Sequence, residues 1–372
     1  MFICGIFLPF FFSFVGQSRV SFLERRYLAD FPKLPSAPEE FLAFPATFDR
    51  YFRDHFGFRE QLLLLHYKLV AGPLFSIIRH DALVGKNGWL YWGNEEALID
   101  VRGDMPPPTE KQLDAWFISL QKKQVWLSSL GIPFLFVVAP DKPSIYPEFL
   151  PDGIRAPGGA SSLDYLVRYL EGKKVDWVLN LKPILLEKKQ TAGKRLLYYT
   201  SDSHWNRLGA FYAFDAILEK LGRMGVKIPE SRFRESDLVP YDWDISGEFL
   251  LGDRSGEVPV PGGVWPSPES VECIKNSALM YALPSASPGT VATTCKTGQG
   301  RMVLIGDSFA EKMSPYISRT FSRVVYMPIG DNRLNTFPLV EAERPNVVIF
   351  EVVERRLRLK GDVWDMVFSK SK

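Results

Sequence analysis

Nucleophilic acyl chemistry needs a nucleophile, a base and a group that orients the base. The 372-residue sequence holds these residue types at two separated places. The first is TSDSHWN, Thr200 to Asn206, with Asp202 two positions ahead of His204. In an extended backbone, positions i and i+2 project to the same side, so Asp202 can reach the His204 ring and orient it. The second is LIGDSFAEK, where Ser308 follows an apolar run and precedes an expected helix. There Gly306 permits a tight turn, and the serine's own backbone N–H lies near a helix N-terminus, where it can stabilise an oxyanion. Ser308 as nucleophile, His204 as base and Asp202 as orienter is the arrangement of serine hydrolases, which geometry defines and chain order does not. The plainer alternative is that Asp307 and Ser308 only cap the next helix, and the GDS tripeptide alone does not separate the two.

Asp-x-His also opens the metal sites of many phosphoesterases, but those sites recruit further histidines. This chain has four, and the other three, His55, His66 and His80, all lie in the N-terminal lead-in. The sequence therefore assigns no metal and no cofactor. Lys142 and Tyr146 follow the apolar run 132–139 and fall at the same expected sheet edge, as candidates either for contact with substrate or for a structural role.

These residues need a scaffold that brings them to one edge. From residue 107 onward the chain alternates helix and strand patterns. Thr109 and Gln112 have capping-box spacing before a helix that ends at Gly131. The run IPFLFVVA (132–139) suits a strand buried on both faces. A helix over 161–171, a strand over 175–180, a helix near 183–190 and a short strand over 196–199 follow. Asn206 is then a natural N-cap for a long helix. The alternation resumes with strands over 301–306, 323–329 and 346–354, separated by helices from 309 and near 338–344. Such units imply an α/β fold with a mainly parallel sheet and helices on both faces, whose ligand sits at the carboxyl ends of the strands. Residues 230–300 break the rhythm and read as a loop-rich insertion. Asn87-Gly88, inside GKNGWLYWG, marks a hairpin or tight turn.

The bulk numbers bound the function. Forty-five basic residues against 43 acidic give a net charge of +2, without the basic field that nucleic-acid binding needs. Aromatic residues make up 14%, which fits a well-filled core and also suits stacking on sugar rings. The first sixteen residues carry no charge and read as an uncleaved signal anchor over 1–18, with a lead-in arm and helix over 19–95 and a catalytic domain over 96–372. Of three cysteines, Cys273 and Cys295 flank a stretch rich in Pro, Ser and Gly; a bridge and two free thiols are both compatible with that spacing.

The segments FPATFDRYFRDHFGFRE, NGWLYWG, VVAPDKPSIYPEFLP, YYTSDSHWNRLGAFYAF and LIGDSF together resemble the alginate O-acetyltransferase proteins, an SGNH-hydrolase-like group of the bacterial periplasm. In that group the Asp-x-His pair precedes the serine, as it does here. The resemblance implies an SGNH-like fold and the triad Ser308, His204 and Asp202. It also implies O-acetylation of a polysaccharide acceptor, an acetyl donor supplied by a membrane acyltransferase partner, and a periplasmic body held at the inner membrane. Two other functions use the same residues: a carbohydrate esterase with water as acceptor, and a non-catalytic scaffold of a polysaccharide export complex.

Overall fold

A computed structural model describes residues 20–21, 26–35, 38–59, 62, 82–92, 99–100, 105–151, 159–193, 195–200, 202–227, 238–241, 263–266, 273–276, 290–329 and 336–358. They form two compact units, one within Met1–Ile77 and the other drawn from Ile78–Glu248 and Glu257–Lys372. The expected anchor over 1–18 lies outside the described residues. No described helix is long and apolar enough to cross a membrane.

In the first unit, β1 (Val20–Ser21) pairs antiparallel with β2 (Arg26–Tyr27). Helix α1 spans Pro38–Asp54. Pro38 opens it because a helix's first N–H has no intrahelical acceptor in any case. The Asp54 carboxylate accepts the Ala29 N–H at 2.8 Å, and the His55 ring meets the Ala29 carbonyl at 2.8 Å. The lead-in is thus pinned to the end of its own helix, and Phe31 packs edge-on against Phe48 and Tyr51.

The second unit opens with a hairpin of β3 (Ala82–Val84) and β4 (Leu90–Trp92). Its turn has Asn87 at φ 55° and Gly88 at φ 76°, the left-handed pair that Asn-Gly adopts at least cost. The hairpin falls within the second unit. The elements that follow are α2 (Glu110–Ser129), β5 (Phe134–Ala139), the short α3 (Lys142–Ile145), α4 (Ser162–Gly172), β6 (Val178–Asn180), α5 (Lys182–Thr191) and α6 (Arg207–Arg223). Beyond them lie β7 (Leu238–Tyr241), β8 (Gly263–Pro266), β9 (Cys273–Asn276), β10 (Val291–Cys295), β11 (Arg301–Gly306), α7 (Ser308–Thr320), β12 (Arg323–Pro328), α8 (Phe337–Glu343) and β13 (Val347–Val353). The expected caps are present: Thr109 and Gln112 form a reciprocal capping box, and Asn206 accepts from Leu208 and Gly209.

The seven-stranded sheet runs β6-β5-β13-β11-β12-β10-β9. Its first five strands are parallel, and β10 and β9 extend the edge antiparallel. Part of the irregular 230–300 region therefore completes the sheet. Cys295 is disulfide-bonded, and Cys273 is its Cα partner across the β9–β10 pair.

Period-two alternation sorts the strand side chains between two cores. Leu135 and Val137 of β5, Leu304 of β11 and Ile349 of β13 face α6 and α7. Phe134, Phe136, Val303, Ile305, Val348 and Phe350 face α2, α4 and α8. Each of these side chains is at most 2% exposed, and such burial contributes roughly 1.5–3 kcal/mol per residue. Because β5, β11 and β13 are parallel neighbours, Pro140, Asp307 and Glu354 emerge at one edge. The sheet thereby fixes where the site must be.

One expected strand is absent. Residues 196–199 join no sheet; Tyr198 only bridges Trp205. Their polar groups go elsewhere: Leu197 N–H donates to the Tyr146 hydroxyl at 2.9 Å, and the Leu196 carbonyl accepts from Asn206 Nδ2 at 2.6 Å. Helix α6 presses on this segment at Gly209, where a Cβ would collide with the Leu197 carbonyl.

Candidate active site

The loop before α6 carries the acid–base pair by a different device from the extended backbone expected. Residues 202–204 form a bend, and Asp202 Oδ1 accepts the His204 backbone N–H at 2.9 Å. The same oxygen meets His204 Nδ1 at 2.7 Å. A carboxylate oxygen can only accept here, so Nδ1 carries the proton and Nε2 is left as acceptor. Ser308 Oγ lies 2.6 Å from that Nε2. The structure thus brings together the three residues singled out from the sequence, across 104 positions of chain. Asp202 and His204 are 0% and 4% exposed, while Ser308 is half-buried and opens the site to solvent.

Ser308 is the first residue of α7, and Asp307 is the N-cap, accepting Phe309 N–H at 2.9 Å. Asp307 is therefore the helix cap of the plainer reading, and the serine beside it still meets the histidine. The other Asp307 oxygen accepts Val353 N–H at 2.8 Å and lies 3.3 Å from Arg356 Nε, tying the turn to the end of β13. Below it, Glu351 Oε2 accepts Asp307 N–H at 3.3 Å and Ala310 N–H at 3.2 Å. The second and third N–H groups of α7 are thus taken by carboxyl groups. A Cβ on Gly306 would collide with Ala310 and stand 2.8 Å from Glu351, so the turn requires glycine.

Glu351 was not singled out from the sequence, yet its signal was present: one glutamate inside the apolar run VVIFEVV. Burial, and then the Asp307 charge, hold its carboxyl well above the usual range. Phe309 completes the surroundings, with its ring 4.9 Å from His204 and 5.0 Å from Trp205.

Lys142 and Tyr146 do lie at this edge, but not as open substrate contacts. Lys142 is 1% exposed and donates to the carbonyls of Leu90, Thr200 and Asp202 at 2.6, 2.8 and 3.0 Å. Tyr146 is 2% exposed; its hydroxyl accepts Leu197 N–H, and burial pushes that hydroxyl up to about 12. Both side chains hold backbone of the site loop and have their polar atoms committed inside the fold.

A buried polar cluster links the ends of β5 and β13 to the starts of α3 and α4. Arg355 pairs with Asp141, and Glu354 accepts from Asp141 N–H at 3.0 Å, Ser144 Oγ at 2.6 Å and Ser161 Oγ at 2.9 Å. Burial raises the Glu354 carboxyl from an ordinary 4.5 to about 7. Between those values the folded state binds a proton that the unfolded state does not. This contribution is complete below about 4.5 and is lost as pH rises through about 7, a span worth at most ~3 kcal/mol. Urea melts across this range should show Glu354→Gln losing less stability with rising pH than the parent chain; parallel slopes would refute the assignment.

Residues 82–327 match the family model described as an SGNH hydrolase-like domain, the class already drawn by a parallel sheet with a serine at the start of the helix after a central strand. That model is the acetyltransferase AlgX domain, and since the match covers well over half of the chain, the protein belongs to this family. No curated protein matches the sequence. Among solved structures, PatB1 of Bacillus cereus aligns with TM-score 0.50 at 15% identity, over 77% of this chain and 99% of that one. Its form with a sulfonyl adduct aligns with TM-score 0.50 at 16% identity, over 78% and 100%. A DHHW family protein from Eubacterium siraeum aligns with TM-score 0.49 at 14% identity, over 78% and 97%. At these identities the likeness concerns the fold alone.

Proposed function

We propose that this protein is an O-acetyltransferase that moves an acetyl group onto a polysaccharide hydroxyl through an acetyl-Ser308 intermediate. The observation that carries the reading is the relay of 2.7 Å from Asp202 to His204 and 2.6 Å from His204 to Ser308. Ser308 Oγ attacks the donor's acetyl carbonyl while its proton passes to His204 Nε2. The negative charge that develops on the carbonyl oxygen is met by the Ser308 N–H and the positive end of α7. Collapse breaks the bond to the donor's leaving group, which takes the proton from His204. A sugar hydroxyl then gives its proton to the same nitrogen, attacks the acetyl-serine and leaves as the ester, and His204 returns the proton to Ser308. Asp202 holds the imidazole in its tautomer throughout and stabilises its cationic form.

The compartment follows from the same reading. A disulfide at Cys295 favours an oxidising environment, and the apolar first residues would hold the body at the inner membrane of a periplasm. The acetyl donor would then come from a membrane acyltransferase partner.

The test is to incubate the protein with a chromogenic acetyl ester, with and without neutral and acidic oligosaccharides, and to weigh the sugars by mass spectrometry. Acetylated sugar is the expected product. Ester cleavage that never transfers to any sugar would turn the assignment to an esterase, and the absence of both activities would favour a scaffold.

A further inference from the structure

We propose that Lys142 is a positioning residue for the acyl transfer, its side-chain ammonium clamping the Asp202–His204 loop to strand β4. The inference rests on the triad reading. Lys142 stands at the start of α3, just past the carboxyl end of β5, and its side chain runs inward instead of out to solvent. Nζ donates to Leu90 O of β4 at 2.6 Å and, from the site loop, to Thr200 O at 2.8 Å and Asp202 O at 3.0 Å. It lies 4.7 Å from the Trp89 ring centre and 5.0 Å from that of Tyr91.

An ammonium has three donors and no acceptor, so three carbonyls match it completely. A neutral amine would have to turn its lone pair towards one of them. Burial pulls this lysine well below its ordinary value, and the nearby Asp202 charge opposes that pull. The ring faces of Trp89 and Tyr91 add further attraction for the cation.

The loop needs such a clamp because it joins no sheet. At its start, Thr200 O accepts both the Leu90 N–H of β4 at 2.8 Å and the Lys142 ammonium. The Asp202 carbonyl held by Lys142 belongs to the residue whose carboxylate sets the His204 ring. Loss of the clamp would leave that carboxylate and ring free to drift, and displacements of about 1 Å in such constellations cost on the order of a hundredfold in rate.

The test uses the full chain as Lys142→Met, which keeps length and apolar volume but removes charge and donors. Sites are counted by stoichiometric labelling with a sulfonyl fluoride, and kcat and KM for an acetyl ester are expressed per labelled site. The expected result is kcat lowered by roughly a hundredfold or more with KM within about twofold. Unchanged kcat per labelled site, with only fewer sites, would mean that the lysine serves folding alone and would overturn the proposal. If Lys142→Met does not fold, Lys142→Ala is refolded with propylammonium or with propanol. Restoration by propylammonium alone supports the clamp; restoration by both alike, or by neither, overturns it. Ser308→Ala in parallel separates the two levels: if it kept turnover, the triad reading itself would fail, whatever Lys142 did.

Discussion

Ser308→Ala should lower acetyl-ester turnover by roughly 10⁴–10⁶-fold while the chain stays folded. Ser308 is half-buried and its Oγ meets His204 Nε2, so removing the hydroxyl opens little space and leaves the Asp307 cap intact. His204→Ala should fall as far, because the serine then has no acceptor for its proton. The two residues share one proton transfer, so the double variant should be scarcely worse than either single one. Additive losses would show that they act in separate steps. Steady-state rates with circular dichroism as the check on folding are sufficient measurements. Retention of most activity in folded Ser308→Ala would return the serine to the role of helix residue only.

The second large effect concerns Asp202. One of its oxygens accepts both the backbone and the ring N–H of His204. In Asp202→Asn, the amide oxygen can continue to accept both, so the bend is kept and the negative charge is lost. Turnover should drop by roughly 10²–10⁴-fold, with thermal unfolding little changed, because the cationic imidazole formed during the reaction is no longer stabilised. Asp202→Ala removes the oxygen as well as the charge; it should lose at least as much activity and also stability, because the buried His204 N–H is left without its acceptor. Equal activity in the asparagine variant and the parent chain would mean that Asp202 only shapes the loop.

Much of this was legible in the sequence because period and punctuation act locally. The apolar run at 132–139, the caps at Thr109 and Asn206, and the Asn87-Gly88 turn each specify their element without help from distant residues. Ser308, His204 and Asp202 could be paired because a parallel sheet gathers strand ends at one edge. What failed depended on partners far along the chain. Leu196–Tyr199 has the composition of a strand, but the hydroxyl of Tyr146 and the amide of Asn206 take backbone groups that a neighbouring strand would have paired. Lys142 reads as either a substrate contact or a structural residue until Leu90, Thr200 and Asp202 are seen to surround it. Glu351 and Glu354 belong to the same class: a carboxyl in an apolar strand, and another at its end, declare themselves only when the Asp307 turn and the N-cap serine of α4 fold over them.

In the proposed reaction the acetyl group rests on Ser308 on its way to the acceptor. The most direct test of this is to mix the protein with an acetyl ester, quench in acid within the first turnovers and map the acetylated peptide by mass spectrometry. The expected result is a single acetyl group on Ser308, absent from His204→Ala and discharged when an acceptor oligosaccharide is added before the quench. Turnover with no acetyl group on Ser308, or with the group on another residue, would contradict it.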